Sequence, residues 1–361
     1  YLYMIKYIQM ILIGGVDIME FLANYNHWNV SGYNYSLEIC SILFLLILLI
    51  KHFSKRSFPT QIRKIYNWSI LCAALDITMD ITGSILINNY IDVAPQWLTY
   101  IVNGSFYIFQ VAFPALMFGY VLVLLGEKFY KKTKYYYWFI PCALFILITI
   151  LNPVLKWIFY LGPNEAGNLA FLHGKVFIAY YITAFFYFIL TFIFSLMHRS
   201  QMSKKELLTI IWSLGIIIAG IVVQIALPSI LLTGFAITTT LYIVEDNIAN
   251  PDDMVDKISG AFNFNALSIY FDKVIRTKKR KSFITINVES LSPVNDTFGA
   301  VTGNKIYKKI GSFLNDLQPN NLVFRIFSSK FVLSYINEEL LIKDANKIKE
   351  RFQKIWDIDG N

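Results

Sequence analysis

The chain has 361 residues, 56% of them hydrophobic and only 16% charged, with a mean hydropathy of +0.51. Soluble domains run at roughly 45–50% apolar and about 25% charged, so an ordinary soluble enzyme, a disordered chain, a collagen-like repeat and a secreted disulfide scaffold are all excluded. The formal charge of +8 is unevenly spread: residues 1–245 carry 15 Lys+Arg and 10 Asp+Glu, whereas the last 116 residues carry 17 and 14, which is 31 of all 56 charges. This asymmetry predicts a membrane region followed by a water-soluble domain.

Residues 1–35 are read as an external N-terminal segment. Residues 2–13 lack the basic n-region and small-residue cleavage site of a signal peptide. Met19 is a candidate start, because codons for Gly14, Gly15 and Val16 can spell GGAGGTG, a ribosome-binding sequence; residues 1–18 would then be leader. A short amphipathic external segment is the alternative.

Residues 36–245 are read as a seven-span domain. A bilayer core about 30 Å thick needs ~20 apolar residues of helix. Stretches 37–53, 68–90, 97–125, 137–160, 176–197, 207–227 and 229–244 qualify, the first and last being short. The apolar run from 207 to 244 would be roughly 57 Å long as one helix at 1.5 Å per residue. Pro228 lacks an amide hydrogen and disfavours helix just before it, so the run divides there into two crossings. Cytoplasmic loops retain an excess of Lys and Arg, and loops 51–66, 127–134 and 198–206 hold 12 of the 15 basic residues of this region. Seven crossings with an external N-terminus then put everything after Glu245 in the cytoplasm. Cys40, Cys72 and Cys142 lie in apolar runs without CxxC spacing and read as buried small hydrophobes.

Asp76 and Asp80 stand four residues apart within LDITMDITG, so both carboxylates project from one helical face. Charges are costly in a bilayer and usually face a protein interior or a water-filled cavity. The pair could bind a cation, relay protons or contact a basic or hydroxylated ligand; hydrogen bonding to Thr78, Thr82 or neighbouring helices is the bland alternative. Asn103, Gln110, Asn152 and Gln224 read as interhelical glue. His27 and His173 read as surface residues on the external side.

After a linker at 246–256 the periodicity changes. Helix is predicted at 261–276, strand at 283–288, helix through Ile306, Ile310, Phe313, Leu314 and Leu317, a hairpin from 322–326 and 331–336, and a last helix at 339–356, giving the order αβαββα.

Three blocks here carry a family resemblance. Asp256-Lys-Ile-Ser-Gly260-Ala-Phe-Asn263 is similar to the DxLTGxxNR opening of GGDEF-type diguanylate cyclase domains, with Phe264 at the arginine. Residues 287–304, with Asn295-Asp-Thr-Phe-Gly299 at the centre, resemble DxDxFKxxNDxxGHxxGD, and Arg325-Ile-Phe-Ser-Ser-Lys-Phe331 resembles RxGG(D/E)EF. The resemblance implies an α/β (α+β) nucleotidyl-cyclase-like fold over residues 257–361.

Active members join two GTP molecules across a homodimer, with acidic residues holding metal at the triphosphate. That chemistry needs oxygen anions on hard divalent cations. By the resemblance, Asn287 stands at the first metal acid, Ser329 at the third signature position and Lys330 at the fourth, where it reverses the charge. The signature glycines are Phe327 and Ser328, whose side chains crowd the phosphate approach and disfavour positive φ. Asn295 matches the guanine-binding asparagine, but its paired aspartate is Asn304 and the phosphate-side lysine is Ser292; Glu289 alone is not a metal site. No catalytic residue, metal or cofactor is therefore expected, with Mg only if residual GTP binding exists. The RxxD product-inhibition motif corresponds to 318–321, which has neither charge.

The basic run 276–281 is read as a solvated loop, with anionic lipid headgroups the second choice. Nucleic acid is not an expected partner, since the domain is only +3 and shows no recognition module. The expected partners are the lipid bilayer, a second copy through the GGDEF-like domain, and GTP or cyclic di-GMP. Family members continue past this point with further strand and helix, so the domain is read as truncated at 361. The resemblance implies a bacterial inner-membrane signalling protein of the cyclic di-GMP class whose degenerate domain regulates or dimerises. A phosphodiesterase with an EAL domain beyond 361, a residual cyclase, and a transporter with an appended domain are the alternatives.

Overall fold

The computed structural model describes residues 32–54, 60–126, 133–164, 167–249, 254–277, 280–289, 291–317, 322–327 and 329–357. Met19, His27, Ser328, residues 318–321 and the loop lysines 128, 131 and 132 lie outside the described residues, as does the side chain of Ser292. The described residues form two compact units, 32–54 with 60–249, and 254–357.

The first unit is a helical bundle. It comprises α1 (Ser36–Ser54), α2 (Gln61–Asn89), α3 (Gln96–Leu124), α4 (Ile140–Ile150), the single turn α5 (Asn152–Leu155), strands β1 (Phe159–Pro163) and β2 (Leu169–His173), then α6 (Ala179–Met197), α7 (Lys204–Ala226) and α8 (Thr233–Val244). A π-helical turn, Glu245–Ala249, follows. Five of these helices, α1, α2, α3, α6 and α7, are long and apolar enough to cross a membrane, and a shorter apolar helix occupies Tyr135–Ile150. With 12 residues, α8 is roughly 18 Å long, well short of a bilayer core.

Local chemistry explains where the helices begin and end. Thr60 accepts from the Arg63 amide at 3.1 Å, so α2 starts about two turns before the apolar stretch at 68. Ser203 and Glu206 form a reciprocal capping box at the start of α7, which ends before Pro228.

The 137–160 stretch, expected as one crossing, is not one helix. Pro153 has no amide hydrogen to continue the ladder and α4 stops at Ile150; Lys156 then takes φ 53° and the chain turns into the β1–β2 hairpin. Asn152 secures that turn rather than gluing helices. Fully buried, its Oδ1 accepts from the Ile158 amide at 2.8 Å and its Nδ2 donates to the Phe159 carbonyl at 2.9 Å.

α3 sits at the centre of the unit, packed against α2, α4 and α6. Its buried face includes Val111, Phe113, Phe118 and Tyr120, while Leu43, Ile47, Ile50, Ile189 and Trp212 of other helices point outward as an apolar surface. Cys72 and Cys142 are buried, but Cys40 is exposed, because it lies on the outward face of α1 beside Leu43, Phe44 and Ile47. At the end where α1 stops and α2 starts, buried His52 bridges Glu245 (Nδ1–Oε2 3.1 Å) and Asn67 (Nε2–Oδ1 2.8 Å). Arg63 donates to the His52 carbonyl, Tyr66 donates to the Leu241 carbonyl, and Lys51 pairs with Asp246.

The second unit contains α9 (Phe264–Thr277), β3 (Ser282–Asn287), α10 (Leu291–Phe298), α11 (Ala300–Leu317), β4 (Val323–Ile326), β5 (Lys330–Tyr335) and α12 (Glu338–Phe352). The short α10 was not anticipated: it carries too few apolar residues to show a helical period. The strands form an antiparallel sheet in the order β3-β5-β4, with Arg325 opposite Phe331 and Asn287 opposite Lys330. Alternation sends Val323, Phe331, Leu333 and Tyr335 to one face against Tyr307, Ile310 and Leu314 of α11 and Ile348 of α12. Phe324 and Val332 face the other way, onto Ala266, Leu267 and Tyr270 of α9. Both faces of the sheet are covered, so β4 and β5 are buried almost throughout.

Candidate functional site

The β4–β5 turn stands at the centre of the resemblance, and the segment before α9 holds it in place. Asp256 accepts from the amide (2.8 Å) and hydroxyl (2.7 Å) of Ser259 and from Arg325 Nη1 at 2.9 Å. Gly260 takes φ 69° to close this loop, and a Cβ on Gly311 would strike the Ser259 backbone, so α11 and the loop meet backbone to backbone. Buried Arg325 also lies 4.0 Å over the Tyr307 ring. Burial opposes the Asp256 charge, but the Ser259 and Arg325 hydrogen bonds prevail and hold its carboxyl below the ordinary value of 3.8.

At the turn, Phe327 adopts φ 53°. A side chain there was expected to disfavour this geometry; the backbone adopts it nonetheless, next to the pairing of Ile326 with Lys330 that ends the β4–β5 ladder. The left-handed conformation costs about 1–2 kcal/mol for a residue with a Cβ. The exposed Phe327 ring lies 6.0 Å from that of Phe264, so the side chain at the glycine position meets the one at the arginine position.

The positions implied for metal come together, but not as a metal site. Ser329 Oγ donates to Asn287 Oδ1 at 3.3 Å, Asn287 Nδ2 donates to Glu289 at 3.1 Å, and the Ser329 carbonyl accepts from the Val288 amide. This donor set contains one carboxylate, already engaged with an amide, and does not fit a hard divalent ion. Lys330 is exposed at the start of β5, where a further cation would be repelled.

Asn295 stands on α10 against Gly303 of α11, and Asn304 is the next residue of α11. A Cβ on Gly303 would collide with Asn295 Oδ1, which shows how closely α10 crosses α11 there, and Gly299 turns between the helices at φ 81°. Both asparagines are exposed.

Asp76 and Asp80 project together into the interior of the bundle, Asp76 completely buried and Asp80 at 7% exposure. Asp76 Oδ2 accepts from Gln110 Nε2 at 3.0 Å, and the same amide reaches Thr233 Oγ1. Thr78 and Thr82 do not serve the acids, since each donates back to its own helix. Sequence reasoning missed Glu38, which is fully buried and accepts from the Gly234 amide at 2.9 Å. A single acid near the start of an apolar run was the signal available. His173 is not a simple surface residue: it lines a cavity and stacks on Phe177 with ring centroids 3.9 Å apart. Gln224 accepts from the Leu232 and Thr233 amides and so caps α8.

The first unit thus carries five helices long and apolar enough to cross a membrane, and the second is GGDEF-like, as the comparisons with known proteins bear out. No family model matches the chain. Diguanylate cyclase DosC of Escherichia coli (strain K12) is 26% identical over 125 residues, covering 33% of this chain and 27% of that protein. DosC of Shigella boydii matches equally. The chain thus spans about a quarter of the length of the curated relatives it matches. Among solved structures, a diguanylate cyclase/phosphodiesterase from Caldicellulosiruptor saccharolyticus shares 20% identity with a TM-score of 0.28, over 30% of this chain and 68% of that one.

Proposed function

We propose that this is a bacterial signalling protein of the cyclic di-GMP class, in which a seven-span membrane region governs a GGDEF-like domain that has lost synthesis and acts by regulation or dimerisation. Likeness to diguanylate cyclases supports the pathway. The observation that carries the loss of synthesis is the Asn287–Ser329 hydrogen bond, which joins two neutral side chains where a metal would need carboxylates.

Seven crossings require α4 and α8 to span despite their length, with the adjoining turns Thr133–Phe139 and Glu245–Ala249 adding reach. The basic loops favour the plasma membrane with residues after 245 in the cytoplasm.

The full chain, purified and supplied with GTP and Mg or Mn, is expected to yield no cyclic di-GMP above a protein-free blank, and to cross-link as a homodimer. Cyclic di-GMP formation would overturn the loss of synthesis. A strictly monomeric chain would overturn the dimerising role.

A further inference from the structure

We infer that the membrane region holds a binding site for a small alkylammonium ion, built from the Asp80 carboxylate and an aromatic wall. The bundle holds a partly open cavity of about 70 Å³ near the β1–β2 hairpin, lined by Asp80, Tyr107, His173, Phe177 and Tyr180 among others. One water needs ~10–15 Å³ of such space, so the void has room for roughly five atoms of that size. Asp80 is more than nine-tenths buried, and its Oδ2 has no hydrogen-bond partner.

The electrostatics call for a cation. Glu38, Asp76 and Asp80 are all buried in this bundle, Asp80 alone of the three lining the cavity, each with one oxygen lacking a hydrogen-bond partner, and none of the described ion pairs involves them. An unpaired carboxylate in such surroundings is expensive, and either a proton or a bound counter-charge relieves it; the aromatic wall beside Asp80 favours the counter-charge. The wall selects the kind of cation. Tyr107, Phe177 and Tyr180 form a mutual cluster with ring centroids 5.5–6.1 Å apart, two of the contacts edge-to-face. Ring faces attract organic ammonium ions by their quadrupole while accommodating the alkyl part. Among the described residues no three His, Cys, Asp or Glu side chains converge as metal ligands, which sets an ammonium headgroup apart from a metal ion. Ser84, one turn beyond Asp80 on α2, and Asn103 of α3 also line the cavity and offer the headgroup polar contacts.

Nothing in this site depends on the chemistry of residues 250–361, so it is tested separately. The full chain in nanodiscs would be titrated calorimetrically with n-butylammonium, with n-butanol as neutral isostere and sodium as inorganic cation. Saturable binding of n-butylammonium is expected, with n-butanol at least tenfold weaker and sodium unable to displace the amine. Asp80→Asn should weaken the amine at least tenfold. Ser84→Leu, which fills the cavity and leaves the carboxylate, should weaken it comparably and guards against misfolding of the first variant. Absence of saturable binding, equal binding of n-butanol, displacement by sodium, or undiminished affinity in either folded variant would overturn the site.

Discussion

Asp256 and Phe327 show opposite ways in which one side chain bears on the domain. The Asp256 carboxylate is held below its ordinary pKa, so its contribution is fully present above the unfolded value and is lost as pH falls through the folded one. Acid unfolding of residues 250–361 should therefore include a loss of stability below about pH 4 that Asp256→Asn removes, measured by intrinsic fluorescence across a pH series. At neutral pH the same substitution should cost about 2–3 kcal/mol, because it takes a charged acceptor from buried Arg325. Phe327→Gly should change stability by less than about 1 kcal/mol, since relief of the left-handed backbone is offset by the lost ring contact with Phe264. It should not restore synthesis, because Asn287 and Ser329 remain. Denaturant unfolding and a GTP turnover assay check the two halves. The aspartate and its loop were legible as a motif, but the Phe264–Phe327 contact was not: 63 positions separate the two rings, and only the fold brings them together.

At the scale of elements, apolar length alone was an incomplete guide. The runs that became α1, α3, α6 and α7 were read within a few residues, because a continuous apolar stretch bounded by charge has one good solution in a bilayer. The run at 137–160 had the same composition and a different outcome. Its β-hairpin depends on Pro153 and on the buried Asn152 side chain supplying hydrogen bonds that a helix would have supplied itself. Asn152→Ala should lower the thermal midpoint of the full chain, with a loss of about 2 kcal/mol for two buried backbone groups left unsatisfied. It should also weaken alkylammonium binding, since Phe171 and His173 of β2 line the cavity. Asn152→Asp keeps the acceptor for the Ile158 amide but sets a buried carboxylate oxygen against the Phe159 carbonyl, so it should be at least as harmful; differential scanning fluorimetry ranks the pair.

For the whole molecule, the division into a membrane region and a GGDEF-like domain came from charge distribution and three ordered motifs, both of which are properties of the chain itself. The proposed topology makes a direct prediction. A cysteine at Asn164, in the β1–β2 connection, should react with a membrane-impermeant maleimide on intact cells, whereas one at Glu339, at the start of α12, should react only after permeabilisation. Reversed labelling would invert the orientation read from the basic loops. By itself, the sequence determined that most of the chain is lipid-compatible, that residues 257–361 resemble a cyclase domain, and that Asn287 and Ser329 stand where that resemblance implies acids, because composition and residue identity do not depend on folding. Tertiary structure alone decided that Glu38 is buried in the same bundle as Asp76 and Asp80, that aromatic rings from three segments wall a cavity beside Asp80, and that β2 of the hairpin lines it, because each depends on groups distant in sequence sharing one low-dielectric space.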